Sequence, residues 1–553
     1  MKKGRLFRSW WWLVLPLALL LVWLGGRLLD HRVKARLIEV GNEIAGEGYG
    51  FSIDRTHAHL FAGSIEVTGI TLTYDSTVVH KLKTGNSGEA IRFSANKVHV
   101  RHVSYWDLLF SGEVHFVAVE IEGPEIHYAF RPAKQTAPEN VVEEEEAAEL
   151  PTLIQVDTLL VRSATGSTTD ISSTRPAFNV GGLDIALYGA YLRSHRNGKV
   201  RFHTQGADIH AWDLSAELPP VYDLYITSIK IDHPNGRALI REPRLQPRYD
   251  EHTYGEHVEF ETDLYRIEAD SLIFLGIDVG RFMRHQQLHM ERMLIRSPEA
   301  IIHRDKTMPD GPFVHKSLPV SGLRKLGIGL RIDTVEVSAG RVEYHEQAEG
   351  GNGFGMVAFE EIRGELTGLN NTNDTDSSSH LIATGTARIY DKSTVQMRYK
   401  ASMASKNDAF TITARIGQLP FTVFNRMSDD LLQVKATEGR IHSMELNMHG
   451  NEWQGSGTVD LAYEDLKIDL KPNAEKWHEG KIANLLGNAL VRRNNLPDRK
   501  NYRQGDFTTP RRRDRAIFNF IWQGIKTGTA GTLAPGILKR PVQDAARYDP
   551  NER

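Results

Sequence analysis

Apolar and polar residues alternate with a period of two along much of the chain after residue 51. The pairs Ile65/Val67, Val119/Ile121 and Leu466/Ile468 are examples. A period of two places the apolar set on one face of a β-strand and the polar set on the other. Glycine, asparagine and aspartate separate these segments, as turns require. No βαβ spacing occurs, so the pattern predicts a mainly β fold and disfavours a parallel sheet with crossover helices.

The N-terminal region departs from this pattern. Residues 10–29 form an apolar run with tryptophans at both ends, which predicts a transmembrane anchor after a basic, cytoplasmic start at residues 1–9. A cleaved signal peptide is the alternative, although RLLDHRVKAR after Gly26 lacks a small-residue cleavage site. Basic residues flank both ends of the run, so charge alone leaves its orientation open. Apolar residues at helical spacing predict an amphipathic helix over residues 30–47.

The strand-like segments also repeat. Residues 91–98 match residues 265–272, and residues 119–124 match residues 293–298 at the same offset. Looser copies end at His233-Pro234 and at Ala339-Gly340. The repeat predicts a duplicated hairpin-like unit whose second strand ends at an X-Pro corner, because proline cannot donate to a β-ladder.

These patterns divide the chain after the amphipathic helix into five regions. They are a first β-repeat region at 51–130, a flexible acidic loop at 131–151, middle β-repeats at 152–345, a C-terminal β region at 346–470 and a basic tail at 471–553. The tail predicts short helices at 482–491 and 516–525. The second helix either plugs the open end of the sheet or lies on an anionic lipid surface. In the lipid case the contact residues are Arg511, Arg512, Arg513, Arg515, Phe520, Ile521 and Trp522.

Composition and motifs narrow the functional classes. The chain has 553 residues, a net charge of -3 and no cysteine, which excludes disulfides, thiolate catalysis and cysteine-based metal sites. No phosphate-binding GxxxxGK[ST] or nucleophile GxSxG motif occurs, and no basic stripe interleaved with aromatics predicts nucleic-acid binding. His57 and His59 fit polar strand positions better than a metal site. We therefore expect no enzyme activity, cofactor, metal or nucleic-acid partner.

The order of the motifs carries a family resemblance. The motifs are GYGFSI at 48–53, AGSIEVTGITL at 62–72, ANKVHV at 95–100, LLFSG at 108–112 and VEIEGPEI at 119–126, followed by ATEGRI at 436–441 and the strand at 455–468. In this order the chain resembles the AsmA-like proteins of the Gram-negative envelope, including their domain-of-unknown-function relatives. Residues 162–248 fit the resemblance least. The resemblance implies an elongated, curved antiparallel sheet forming a β-groove of taco-like repeats.

The resemblance also implies a function. Such a protein is anchored in the inner membrane, lies in the periplasm and conducts phospholipid acyl chains along the groove, which contributes to envelope lipid homeostasis and outer-membrane biogenesis. The residues expected to line the groove are Ile65, Val67, Val98, Val100, Val119, Ile121, Ile229, Ile231, Val335, Val337, Leu466 and Ile468. Three alternatives stay open. The same residues could fill a closed β-sandwich, the body could be a scaffold for outer-membrane proteins, or it could be a membrane-tethered hydrolase.

Overall fold

The computed structural model describes most of the chain after residue 29. The described residues are 30–39, 41–42, 45–59, 63–84, 88–102, 113–131, 153–171, 176–194, 200–285, 287–347, 354–372, 379–431, 434–470 and 491–533. The predicted anchor at 10–29, nearly all of the acidic loop at 131–151 and the predicted helix at 482–491 lie outside them, save Val491. Within the described residues, no helix is both long enough and apolar enough to cross a bilayer.

The chain forms two compact units. The first contains Met1–Leu218 and Tyr225–Asn235, and the second contains Pro219–Leu224 and Gly236–Arg553. Both are mainly β, as the alternating pattern predicts, with few short helices.

The first unit is built on ten strands, the last of which also extends into the second unit. They are β1 (Tyr49–His59), β2 (Ser64–Tyr74), β3 (Gly88–Arg101), β4 (Glu113–Glu122), β5 (Glu125–Arg131), β6 (Leu153–Asp170), β7 (Pro176–Ser194), β8 (Val200–His203), β9 (Gly206–Leu218) and β10 (Tyr222–Asp232), with helix α1 (Ser76–Thr84) between β2 and β3. Residues 30–39 are helical, as predicted, and Gly46 follows with a φ of +80°. Residues 41–42 are also helical, and we call residues 30–39 and 41–42 the N-terminal helical segment.

The second unit contains the other described strands. They are β11 (Arg237–Arg241), β12 (Arg244–Pro247), β13 (Leu264–Glu268), β14 (Ser271–Leu275), β15 (Gln287–Arg296), β16 (Glu299–Asp305), β17 (Gly329–Gln347), β18 (Phe354–Asn370), β19 (His380–Ile389), β20 (Ser393–Ser402), β21 (Phe410–Ile416), β22 (Leu419–Pro420), β23 (Val434–Gly450), β24 (Gln454–Leu470) and β25 (Gly505–Pro510). Its helices are α2 (Val279–His285), α3 (Pro319–Arg324), α4 (Asn425–Leu431) and α5 (Ile517–Leu533), with 3₁₀ turns at Tyr254–His257 and Phe421–Phe424.

The strands pair in a mixed pattern, so the prediction of a purely antiparallel sheet is wrong. In the first unit β4 and β5 both pair in parallel with β6, and in the second β15 and β16 both pair in parallel with β17. A parallel pair needs a crossover of a dozen or more residues, which residues 306–328 supply before β17. The only helix in that crossover is the short α3, too short to produce a βαβ pattern in the sequence.

The sequence repeat corresponds to a repeated strand order. In the first copy β3 pairs antiparallel with β4 and β5, which continue into the parallel pairing with β6. In the second copy β13 and β14 take the place of β3, β15 and β16 replace β4 and β5, and β17 replaces β6. The matched sequence segments therefore occupy matching positions in two separate sets of strands.

The strands end at the predicted X-Pro corners, β4 at Glu122 and β15 at Arg296, but the ladder continues through each bend into β5 and β16. Gly123 donates its N–H to the Arg162 carbonyl at 2.9 Å, and the Pro124 carbonyl accepts from Thr165 at 2.8 Å. The second copy repeats both bonds, from Ser297 to Ser338 at 2.8 Å and from Arg341 to Pro298 at 2.8 Å. Pairing resumes directly after each proline because its carbonyl still accepts a hydrogen bond although it has no N–H.

The bend depends on a residue with a left-handed backbone. Gly123 has a φ of +57° and its counterpart Ser297 has a φ of +46°. Only glycine adopts this region without a steric cost, which is about 1–2 kcal/mol for other residues. The first copy therefore has the favoured residue at this position, whereas the second has a strained one.

This difference gives a test of the corner. Ser297→Gly should raise the free energy of unfolding by up to about 1 kcal/mol, because relief of about 1–2 kcal/mol exceeds the roughly 0.5–1 kcal/mol entropic cost of glycine. Gly123→Ser should lower it by more than about 1 kcal/mol, since a Cβ there would lie 2.3 Å from Nδ2 of Asn96. Urea unfolding measures both. Gly50→Ser is the control, because its nearest neighbour atom would be 3.8 Å from the Cβ. Equal effects at Gly50 and Gly123 would contradict the interpretation.

Candidate functional site

The register of the first unit places apolar residues of successive strands side by side on one face. We call this set the apolar stripe. One row contains Ile65, Val100, Val119, Leu159, Leu187 and Ala207, and the row beside it contains Val67, Val98, Ile121, Val161, Ile185 and Ile209. Residues directly opposite each other in paired strands point to the same face, so the stripe runs across β2, β3, β4, β6, β7 and β9.

The stripe is covered at one end only, as far as the described residues show. Val33, Leu37 and Ile38 of the N-terminal helical segment pack in one buried cluster with Ile65 and Val67. That cluster ends at β4. The stripe residues of the next strands are half-buried and belong to no buried cluster of described residues: Leu159, Val161, Ile185, Leu187, Ala207 and Ile209.

The N-terminal helical segment is also tied to strand β1. The Asp30 Oδ1 accepts the N–H of Ala58 at 2.5 Å, and the Lys34 Nζ donates to the Asp54 carbonyl at 2.7 Å. Farther along, the Asn42 Oδ1 accepts the N–H of Phe51 at 2.8 Å. These bonds hold the helical segment against β1, so its apolar side lies over the adjoining end of the stripe.

Beyond the corner the same face continues as exposed apolar surface. Phe93 packs in the cluster that contains Val67, and Ile126 is its direct partner on β5. Ile126 is 44% exposed, and Ile91 and Phe178 on the same side are also exposed. The apolar face therefore extends to both sides of the corner line.

The opposite face of these strands is polar and ion-paired. The Lys97 Nζ lies 3.0 Å from a Glu66 carboxylate oxygen, and the Arg162 Nε lies 2.6 Å from that of Glu120. The hydrogen bond from Arg162 lowers the pKa of Glu120, and that from Lys97 lowers the pKa of Glu66. Both carboxylates are thus held in their charged form, so this face stays hydrated while the stripe side is apolar.

A depression of about 530 Å³ in the first unit is lined both by Val161, Ile185 and Ile209 of the stripe and by their charged neighbours. Its lining includes Arg162, Asp184, Asp208 and Lys230, which are sequence neighbours of the stripe residues or of Ile231. Because successive side chains of a strand alternate between faces, these charged groups lie opposite the stripe. No group of three or more histidine, aspartate or glutamate side chains with the arrangement of a metal site occurs in the part of the chain that the structure describes.

The first unit brings together the groove residues predicted within it. Ile65, Val67, Val98, Val100, Val119 and Ile121 all lie on the stripe. Ile229 and Ile231 are half-buried in β10, which follows β9 after a short turn. His233 donates its N–H to the Ala207 carbonyl at 3.1 Å, which places Ile231 beside Ile209 in this hairpin.

Two of the groove residues predicted in the second unit, Val335 and Val337, lie on β17. Val335 is buried in a small cluster with Met290 and Ile332, and Val337 is half-buried opposite Ile295.

Leu466 and Ile468, which are also predicted as groove lining, lie in a large hydrophobic core of the second unit. Leu466 is buried in a large cluster that includes Ile412, Met448 and Val459, and Ile468 packs against it. The 3₁₀ turn at Phe421–Phe424 and helix α5 complete this core. Protein side chains fill the space there, as in the closed-sandwich alternative.

The predicted membrane-contact residues are also largely internal. Arg511 has a fully buried guanidinium whose Nη1 lies 2.6 Å from Glu452 Oε2, and it also donates to the Lys316 carbonyl. Arg515 binds Glu261 at 2.9 Å and Asp310 at 3.0 Å. The sequence alone makes the arginines look like a free basic patch because their acidic partners lie far away along the chain.

Helix α5 confirms the predicted tail helix but corrects its contact face. Phe520 is buried against Phe410, and Ile521 packs against the same core. The helix packs on β24 and β25, as in the alternative in which it plugs the sheet. Trp522 and Arg512 are exposed.

Several stripe residues were missed by sequence reasoning. Ile185, Leu187 and Ile209 lie in the region that fits the family resemblance least, and Leu159 and Val161 come directly before it. Their alternation along β6, β7 and β9 was the available signal. The missed residues are joined to the predicted ones by the parallel pairing of β4 with β6, and the alternation of the sequence does not indicate this pairing.

No family model matches the chain, and no curated protein matches it at a significant level.

Proposed function

We propose that this protein binds phospholipid acyl chains along the apolar stripe and conducts them across the strands. One observation carries the proposal. The stripe is continuous through the register of six strands, half-buried beyond β4, and backed by an ion-paired polar face. A soluble domain that needed this face only for its own core would bury it, because exposed contiguous apolar surface is unfavourable in water.

The physical basis is the replacement of water by hydrocarbon. Each methylene group that moves from water onto an apolar surface contributes about 0.8 kcal/mol. The two rows lie two residues apart along each strand, roughly 7 Å, which gives neighbouring acyl chains parallel tracks. The headgroup can stay in water, and no bond is formed or broken, so no catalytic group is needed.

The cellular setting is part of the same proposal. The apolar run at residues 10–29 fits an inner-membrane anchor, and the motif order resembles AsmA-like envelope proteins. We place the body in the periplasm of a Gram-negative bacterium, with an elongated, curved groove that contributes to envelope lipid homeostasis. The bends at the corners favour such curvature, because an irregularity within a strand bends the sheet.

Photo-crosslinking tests the proposal directly. A photoreactive residue at Val161 or Ile185 should capture phospholipid in cells, since both side chains face the stripe. Leu160 and Ala186 are matched controls, because they are apolar neighbours whose side chains point to the opposite face. Capture at Leu160 and Ala186 equal to that at Val161, or capture of protein instead of lipid, would contradict the proposal. The latter result would favour the scaffold alternative.

A charge on the stripe should block conduction. Ile185→Asp is expected to reduce lipid capture by a photoreactive residue at Val161 at least about tenfold, because an ionised carboxylate is costly to place against hydrocarbon. The matched change Ala186→Asp, on the polar face, should leave capture nearly unchanged. Circular dichroism checks that both variants stay folded, and equal loss in both would count against a stripe that carries lipid.

A further inference from the structure

A group of large apolar side chains is exposed at one site of the second unit. We call it the aromatic patch, and it contains Phe313, Val314, Trp453, Phe518 and Trp522. Phe518 is 76% exposed and Trp453 is 60% exposed, far more than the other large apolar residues of this unit outside the patch. Exposed aromatic surface of this kind marks an interaction site.

Contacts among the neighbouring residues bring the members of the patch together. The Arg513 guanidinium stacks over the Trp453 ring at 4.5 Å, and the Lys316 N–H donates to the Arg513 carbonyl at 2.8 Å. Lys316 follows Val314 by two residues, so Phe313 and Val314 lie beside this contact. Helix α5 begins at Ile517, directly after the arginines, and places Phe518 and Trp522 one turn apart.

Two of the arginines that border the patch reach further into solvent than their acidic partners, whereas Arg515 is 17% exposed and its partner Asp310 is 51% exposed. Arg512 is 47% exposed and pairs with Asp514, which is 24% exposed. Arg513 is 33% exposed and pairs with Glu452, which is 16% exposed. At Arg512 and Arg513 the cation is the more exposed partner, and Lys316 is exposed as well, so these three side chains supply positive charge beside the aromatic residues.

We propose that the aromatic patch docks on the surface of an anionic phospholipid bilayer. Tryptophan and phenylalanine partition into the interfacial zone of a membrane, and cations beside them attract anionic headgroups. The patch draws its side chains from a loop, a hairpin turn and a helix, and the positive charges of Arg512, Arg513 and Lys316 beside it are complementary to an anionic lipid surface. The inference is independent of acyl-chain binding on the stripe, which lies in the other unit.

A fluorophore on the patch tests the proposal. The chain has no cysteine, so Phe518→Cys gives a single labelling site. The labelled full chain, held in phosphatidylcholine nanodiscs, is mixed with vesicles that contain phosphatidylglycerol. We expect a blue shift of the dye with these vesicles, a much smaller shift with phosphatidylcholine vesicles, and loss of the difference at high salt because the charges are screened.

Unlabelled variants measure the contribution of the aromatics. Phe518→Ser combined with Trp522→Ser should weaken capture of phosphatidylglycerol vesicles about tenfold or more, since two large apolar side chains no longer enter the bilayer. Met397→Ser is the matched control, because Met397 is exposed on β20 and lies outside the patch. All of these side chains are exposed, so the variants should fold normally.

The outcomes separate the possible partners. An equal shift with both kinds of vesicle, no shift with either, or equal losses in the double variant and in Met397→Ser would overturn the proposal. A shift that depends on protein concentration without vesicles would assign the patch to a second copy of the chain instead. If a photoreactive residue at Val161 captures no lipid while the protein still captures phosphatidylglycerol vesicles, the result counts against the stripe and leaves this inference intact.

Discussion

Glu452→Gln is expected to lower the free energy of unfolding by about 3–5 kcal/mol, the cost of leaving a buried charge without its partner. Glu452 binds the fully buried Arg511 at 2.6 Å, His315 at 2.6 Å and Arg513 at 3.3 Å. Glutamine keeps the shape of the side chain but removes the negative charge. The Arg511 guanidinium would then be buried next to a neutral amide. Urea unfolding measures the change.

Glu438→Gln is the matched control in the same pair of strands. Glu438 binds Lys467 at 2.6 Å, but about half of each side chain is exposed. An exposed ion pair of this kind contributes about 0–1 kcal/mol, because water screens both charges. If Glu452→Gln and Glu438→Gln lower the free energy of unfolding by similar amounts, the buried ion pair of Glu452 and Arg511 does not contribute the stability that its burial predicts.

The effect of Glu452→Gln should depend on pH. Burial alone would raise the pKa of Glu452, but the hydrogen bond from His315 and the charges of Arg511 and Arg513 lower it below its usual value. A lowered folded pKa stabilises the protein above the unfolded pKa, about 4.3, and this stabilisation is lost as the pH falls through the folded value. The difference between the native protein and the variant should therefore be constant near neutral pH and shrink in acid.

Ile412→Ala should destabilise the protein by about 2–5 kcal/mol, because it leaves a cavity in a packed core. Ile412 is 2% exposed and lies between Tyr399 and Met448 on the neighbouring strands. The same substitution at Ile185 removes the same atoms from the half-buried stripe, where water can fill the space. We expect its cost to be roughly 1 kcal/mol. Urea unfolding of both variants measures the two losses in the free energy of unfolding. Equal losses would indicate that the stripe is also a closed core.

Much of the first unit could be predicted from alternation alone. The period of two identified β2, β3 and β4 and the face to which Val67, Val98 and Ile121 point, because the pleat alone fixes which side each residue takes. The repeat was also readable, since the duplicated strands kept the same offset between matched segments.

Other features leave no local trace in the sequence. Parallel pairing depends on which strand edge the chain returns to, and helix α3 in the crossover is too short to reveal it in the sequence. Ser297 has a left-handed φ, but a serine in the sequence, unlike a glycine, does not indicate this conformation. Arg515 reaches Glu261 across 254 positions of sequence, so its neutralisation could be seen only in three dimensions.

The bonds between the N-terminal helical segment and β1 have a consequence for self-association. The outer edge of β1 would otherwise present unpaired N–H groups that could recruit a strand from another molecule. Asp30 and Asn42 accept two of these N–H groups, those of Ala58 and Phe51. The helical segment therefore blocks the addition of a strand from another molecule at this border of the sheet.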